Sequence, residues 1–228
     1  LLDLYRKSSN ILKTTLTEEN YLKALFHLVD NEGKVTINEL SKFLNVKMPS
    51  VNNMMKKFAE KKWVIYETYK PLIVTENGRR EAALVVRKHR LTEMFLVKKM
   101  NFGWENVHEI AEQLEHVHSQ VFFDKMDEIL DYPKFDPHGE PIPDKDGNII
   151  AQDLQKLSSC EVGETVVFAS VTLSDDAFLS YLNERKLLLN TKVKITKIES
   201  FDKSMTIEIG GEKEILSKKA TEKILVKK

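Results

Sequence analysis

TINELSKFLNVKMPSVNNMMKKFAEKKWVIYETYKPLIVTENG, residues 36–78, decides the fold. Thr36 stands as an N-cap before INELSKFL, in which Ile37, Leu40 and Leu44 recur at helical spacing. Asn45 to Met48 reads as a turn. Pro49 suits a first helical turn, where its missing N–H is no loss. Residues 50–62 then read as a second helix with Val51, Met54, Met55 and Phe58 as its buried face. A short helix, a tight turn and a second helix form the helix-turn-helix pattern. Residues 64–67 and 72–75 are strand-like runs around Tyr69-Lys70-Pro71, so a hairpin follows directly as a wing.

Working outward, residues 18–30 place Tyr21, Leu22, Leu25 and Phe26 on one helical stripe, with Thr17 as the expected N-cap and a break at Asn31-Glu32-Gly33. On the other side a long helix is expected over 79–100, then helices over 105–118 and 119–131. Residues 132–148 hold four of the six prolines and read as a linker or ordered turn. Beyond residue 154 the text changes to short β-branched runs, interrupted by one helix over 175–186, which suits a small β-barrel. The expected class is mainly α with α+β parts. A winged helix-turn-helix occupies 1–78, a helical domain 79–148, and a small barrel 149–228.

Net charge is formally zero, but the average hides a split. Residues 42–88 carry eleven Lys/Arg against four Glu, a net +7, and residues 105–164 carry fifteen Asp/Glu against four Lys, a net −11. That places a polyanion-facing part beside a cation-facing part. No long uncharged apolar run is present, so no membrane partner is expected. Residues 1–13 lack a signal-peptide pattern. Cys160 is the only cysteine and forms no internal disulfide, in keeping with a cytoplasmic location.

The cation-facing part has a specific text. His89 and Glu93 are four apart, as are His108 and Glu112, and Glu112 and His116; Glu115 lies three beyond Glu112. On helices, such spacings gather side chains on one face. Imidazoles and carboxylates together suit manganese, iron(II), cobalt or zinc. A single His-x-x-x-Glu pair is ordinarily a surface pair, yet four of the six histidines fall within 89–118 among glutamates. His118 and His27 read as ordinary polar residues.

The motif RKHRL followed by VHEIAEQLEHV, after a winged helix-turn-helix, resembles the diphtheria-toxin repressor and manganese-transport regulator family, over nearly the whole chain. The resemblance implies an SH3-like (FeoA-like) barrel at the C-terminus. It implies a primary metal site from Asn20, Glu112, Glu115 and His116, with His89. Glu112 stands where iron-type members carry sulfur, which implies manganese, with iron(II) as the alternative and zinc or cobalt as ions that bind in vitro. Asn20 and Lys23 depart from the manganese pattern, and Lys23 would repel a second cation. A second site is implied at His89, Glu93 and His108, or at Asp136 and His138 of the Asp-Pro-His-Gly turn, with Asp175 or Asp176 closing it.

For DNA, Lys47, Ser50, Asn52, Lys56 and Lys57 surround the start of the second helix and offer phosphate contacts. Asn53 can read adenine bidentately, Pro49 can meet a thymine methyl, and Tyr69 and Lys70 lie at the wing tip. The resemblance puts positions 47, 49 and 53 nearest the base edges. The expectation is a homodimeric, non-enzymatic repressor of metal-uptake genes that binds a palindromic double-stranded operator once a cation is bound. The rivals are a helical metalloenzyme and a repressor that answers to an organic effector.

Overall fold

The first helix starts before the stretch its apolar stripe marks out. A computed structural model describes residues 14–172 and 175–228; the opening segment, for which no signal peptide is expected, lies outside the described residues. In it α1 runs Leu16–Leu28 and is capped by Thr15 rather than Thr17. Thr15 accepts from the Glu18 backbone N–H while the Glu18 carboxylate accepts from Thr15 N–H, a complete capping box. Thr15 has a glutamate three residues on; Thr17 has Asn20 there, which leaves the box unmade.

The described residues fall into two compact units. The first takes in the chain through His89 with Leu114–Phe123 and Pro143–Asn148; the second takes in Arg90–Gln113, Asp124–Ile142 and Ile149–Lys228.

In the first unit, β1 (Lys34–Val35) precedes α2 (Ile37–Phe43), whose N-cap is Thr36 with Glu39 completing a second capping box. The turn residue Asn45 takes a φ of 51°. α3 (Met48–Glu60) follows with Pro49 in its first turn, then β2 (Val64–Ile65) and β3 (Leu72–Val74). The wing is an antiparallel sheet in the order β1-β3-β2, with Val35 opposite Leu72 and Val64 opposite Val74. Leu22, Leu25, Leu40, Val51, Met55, Phe58 and Leu72 are fully buried together, each contributing about 1.5–3 kcal/mol. α4 (Glu76–Met100) begins three residues earlier than expected. Thr75 Oγ1 accepts from Gly78 N–H, so Glu76-Asn77-Gly78 becomes a first helical turn rather than a strand end. A side chain at Gly78 would stand 2.0 Å from the Trp63 carbonyl, which glycine alone permits.

In the second unit, α5 (His108–Leu114) is half the expected length and stops before Glu115. α6 spans Gln120–Ile129. Residues 134–142 are an ordered turn, not a free linker: Phe135 pairs with Pro141, and Asp136 N–H donates to Glu140 O at 2.9 Å. The remaining chain builds a six-stranded antiparallel sheet of β4 (Gln155–Lys156), β5 (Thr165–Val171), β6 (Lys192–Ile198), β7 (Met205–Ile209), β8 (Glu212–Leu216) and β9 (Ile224–Lys227), in the order β4-β9-β5-β6-β7-β8. Bulges at Phe168/Ser170 and Ile195/Lys197 bend the long strands. α7 (Asp176–Glu184) and α8 (Lys218–Thr221) complete it. Alternate residues Val166, Phe168, Val193, Ile195, Met205 and Ile207 fill its core with Leu182 and Leu187. The strand runs lead to a small barrel with one helical insertion, and the SH3-like layout is the one the resemblance implies.

Candidate functional site

The first unit gathers a cluster around Glu115, whose side chain is fully buried. Glu115 lies just beyond α5. Lys23 Nζ, from α1, donates to both its oxygens at 3.0 and 3.1 Å. His89 Nδ1 stands 2.5 Å from Oε2, and His116 Nε2 3.8 Å from Oε1. Burial works to raise the Glu115 carboxyl, but His89 and Lys23 outweigh it and hold the group below its usual range. The neighbouring carboxylate is Glu19 of α1, also buried. It accepts from Lys88 Nζ at 2.7 Å and Thr14 Oγ1 at 2.9 Å, and meets His116 Nδ1 at 2.6 Å. Burial pushes Glu19 up as well, and Lys88 and His116 bring it below the usual value. With Nδ1 turned to a carboxylate, His116 leaves Nε2 as the nitrogen that could bind a metal.

Asn20, on α1 between Glu19 and Lys23, is an orphan. Its Oδ1 is buried without a hydrogen-bond partner among the described residues, and it shares an α1 face with Lys23, three residues on. An unpaired buried amide oxygen costs about 1–3 kcal/mol. Together with imidazole and carboxylate donors it fits a hard or borderline divalent cation.

The second unit holds another cluster. Donor atoms of Glu93, Asp136 and His138 lie within 4.8 Å of one another. Asp136 Oδ1 accepts from the backbone N–H of His138 and Glu140 at 2.8 and 2.9 Å, an Asx-type turn. His138 Nδ1 is 3.6 Å from Glu93, while its Nε2 meets the Trp104 carbonyl at 2.9 Å. Its ring stacks on Trp104. Arg90 reaches Asp136 at 3.5 Å and Glu140 at 2.5 Å. Burial and the Glu93 charge push the Asp136 carboxyl up to about 7, against the pull of His138 and Arg90. Burial works to lower His138, but Glu93 and Asp136 prevail and raise it to about 9. Gly139 has a φ of +85°, and a side chain there would stand 2.0 Å from Ala169 O. His108 lies at the rim, 3.3 Å from Glu93 and 3.5 Å from Glu112. Asp175, a suggested closing ligand, instead caps α7 by accepting from Phe178 N–H, and it is exposed; no contact places Asp176 in the cluster.

Lys47, Pro49, Ser50, Asn53, Lys56 and Lys57 are exposed on and beside α3, and Tyr69 and Lys70 on the wing. Tyr69 takes a φ of 67° and is fully exposed, and Lys70 pairs with Glu67 at 2.6 Å. Asn52 corrects the expectation of an outer position: it is half-buried and accepts from Tyr66 OH at 3.2 Å, bracing α3 against the wing. His118 stands 3.9 Å from Glu19, and His27 stacks on Phe43.

Glu19, Lys88 and Arg90 escaped the sequence reading. Glu19 is a first-turn acid of α1 beside Asn20, a place with no signal of its own. Arg90, inside the KHR motif, is a charge in an otherwise buried run, a signal that was present.

Family models cover most of the chain. "Iron dependent repressor, N-terminal DNA binding domain" matches residues 13–72, "Iron dependent repressor, metal binding and dimerisation domain" matches 75–144, and "FeoA domain" matches 155–228. The HTH-type transcriptional regulator MntR of Geobacillus kaustophilus (strain HTA426) is 27% identical over 118 residues, 52% of this chain and 83% of that one. A solved manganese-dependent transcriptional repressor in complex with manganese has a TM-score of 0.81 and 29% identity, covering 92% of this chain and 98% of that one. ScaR with bound Zn2+ has a TM-score of 0.74 and 31% identity, covering 92% and 99%.

Proposed function

This chain belongs to the iron-dependent repressor family of metal-dependent transcriptional repressors, and from that premise we propose that manganese is its activating ion and metal-uptake genes its targets. The supporting observation is the buried Asn20 Oδ1, without a partner among the described residues, on the α1 face whose neighbours Glu19 and Lys23 meet His116 and Glu115. Asn20, His89, Glu112, Glu115 and His116 would hold the ion. When bound, it supplies positive charge and directional bonds between α1 and the segment after α5. Oxygen donors at Asn20, Glu112 and Glu115 favour manganese over softer-ligand metals. Glu19 keeps His116 in its ligating orientation, and Lys88 keeps Glu19 ionised. Glu93, His108, Asp136 and His138 form the second, ancillary set.

In this reading residues 1–78 read DNA, 79–148 bind metal and dimerise, and 149–228 form the barrel. Among the described residues no helix is long and apolar enough to cross a membrane; a DNA target places the protein in the cytoplasm. Two recognition helices of a homodimer would enter successive major grooves about 34 Å apart on a palindromic operator. Lys47, Lys56, Lys57 and Lys70 would meet phosphates, while Pro49, Ser50 and Asn53 face base edges and Tyr69 extends the wing.

The test is operator binding at fixed salt, titrated with manganese, iron(II) and zinc. Manganese should raise affinity by about 100-fold, at the upper end of ordinary allosteric coupling, and Glu115→Gln and Glu112→Ala should each remove most of that gain. Operator binding that ignores metal in the parent would end the reading. Asn53→Ala should cost about 1–3 kcal/mol on the operator and little on unrelated DNA. Lys56→Ala should weaken both alike, because phosphate contacts are blind to sequence.

A further inference from the structure

Resting on the reading that Glu93, Asp136 and His138 take a divalent ion, we propose that the barrel serves this cluster without lending it a ligand: Asn183 of α7, acting through Trp104, sets the His138 ring for metal. Asn183 is thus a positioning residue. The chain of contacts starts at the ring. His138 Nε2 meets the Trp104 carbonyl at 2.9 Å. A carbonyl can only accept, so Nε2 carries the proton and donates. The neutral ring then keeps its lone pair on Nδ1, the nitrogen that stands 3.6 Å from Glu93. A metal-binding histidine ordinarily has its other nitrogen tied in this way, which fixes both tautomer and tilt.

The Trp104 carbonyl is only as well placed as its residue. The indole packs against the barrel core and stacks on the His138 ring, with centroids 5.9 Å apart and planes 19° from parallel. Its Nε1 donates to Asn183 Oδ1 at 2.7 Å, and Asn183 Nδ2 donates in turn to Glu105 Oε2 at 3.0 Å. One amide therefore holds two consecutive residues of the short turn Trp104–Asn106. The barrel also grips the backbone of His138. Its carbonyl accepts from Val171 N–H at 3.1 Å and from Ser170 Oγ at 3.0 Å. Both donors stand at the end of β5, past the bulge at Phe168/Ser170, where the Ala169 carbonyl closes on Gly139. Tied to the barrel at backbone and ring, His138 is held facing Glu93 of α4. Removing Asn183 leaves the backbone seat intact and loosens the ring alone.

The probe is manganese, on the full chain carrying Trp63→Phe and His116→Ala, a background that disables the first cluster and leaves Trp104 as the only tryptophan. Equilibrium dialysis gives the dissociation constant, and quenching of Trp104 fluorescence by the paramagnetic ion places it beside the stacked ring. Asn183→Leu should weaken binding by about tenfold, the low end for a group behind a ligating histidine. Trp104→Phe keeps a ring and the carbonyl but has no N–H to give Asn183, and dialysis should show the same loss. The paired exchange Asn183→Asp with Glu105→Gln swaps donor and acceptor between the two positions and keeps an oxygen for the indole. It should restore the background's affinity, which a merely loosened barrel would not do. Unchanged affinity in Asn183→Leu, or a loss that the exchange leaves in place, overturns the proposal. Should Asn183→Leu not fold, Trp104→Phe decides by the same criterion. A background protein that binds manganese without quenching Trp104 also overturns it. One that takes up no manganese overturns the metal reading of this cluster and the Asn183 proposal together, an outcome distinct from tight binding that ignores residue 183.

Discussion

Two buried acid clusters use nearly the same residue kinds and reach opposite electrostatic ends. Around Glu19 and Glu115 each carboxylate has its own lysine and its own histidine, and both are held below their usual range. Around Glu93 and Asp136 two carboxylates meet His138 and, at the rim, His108, while Arg90 divides itself between Asp136, Glu140 and the Pro141 carbonyl. There the Asp136 carboxyl is driven up to about 7. The difference teaches that buried charge is tolerated by pairing, not by count. The first cluster is neutralised from within and can wait for metal. In the second, burial and the Glu93 charge leave Asp136 raised despite His138 and Arg90.

The sharpest way to break this comparison is to neutralise one acid in each cluster of the metal-free protein at pH 8. Glu19→Gln strands Lys88 and His116, and should cost about 2–3 kcal/mol, slightly less than a fully buried pair because Lys88 keeps some water. Asp136→Asn keeps the oxygen that accepts from His138 and Glu140 N–H while removing repulsion with Glu93. It should stabilise by about 1 kcal/mol, the scale of a one-unit pKa relief. Thermal melting of both variants beside the parent reads the two signs. Asp136→Asn melting below the parent would show the clusters to be alike. In the same series, Glu19→Gln should weaken manganese binding by about tenfold or more, since it frees the ring that the carboxylate orients.

What could be read in the sequence follows the range of the interactions. The winged helix-turn-helix was legible because its caps, turn residues and apolar stripes are local: Thr36, Asn45, Pro49 and the Leu40–Phe58 spacing all act within a few residues. β1 was not, because two residues show no alternation. The cluster residues were legible as a set, but their arrangement was not. Helical spacing assumes that Glu112, Glu115 and His116 continue one helix, yet neighbours on a helix diverge by about 100°. Glu115 and His116 can both face α1 only because α5 ends at Leu114. The contacts that set their electrostatics, Lys23 with Glu115 and Glu19 with His116, join residues 92 and 97 positions apart. No local pattern encodes such pairs.

The smallest effect separates the clusters by pH, and the two tryptophans report on them. Trp63 is buried in the core of the first unit; Trp104 carries the second, stacked on His138 and donating to Asn183 at 2.7 Å. Glu19 and Glu115 have depressed folded values, so their stabilisation is present above about 4.5 and is lost as pH falls through the folded values. His138 is raised from 6.5 to about 9, so its stabilisation is complete below 6.5 and lost as pH rises through 9. Asp136, raised from 3.8 to about 7, has the same sign at lower pH: the folded state favours its protonated form, and that advantage is lost as pH climbs from 3.8 through 7. Metal-free Trp104→Phe, read through Trp63, should therefore lose stability on acidification below about pH 4.5. Trp63→Phe, read through Trp104, should lose it progressively between about pH 4 and pH 9, with His138 carrying the alkaline part. Denaturant midpoints by fluorescence settle the matter. A Trp104 midpoint that stays level or rises over the alkaline span would mean that His138 and Asp136 are not the strained pair their packing describes.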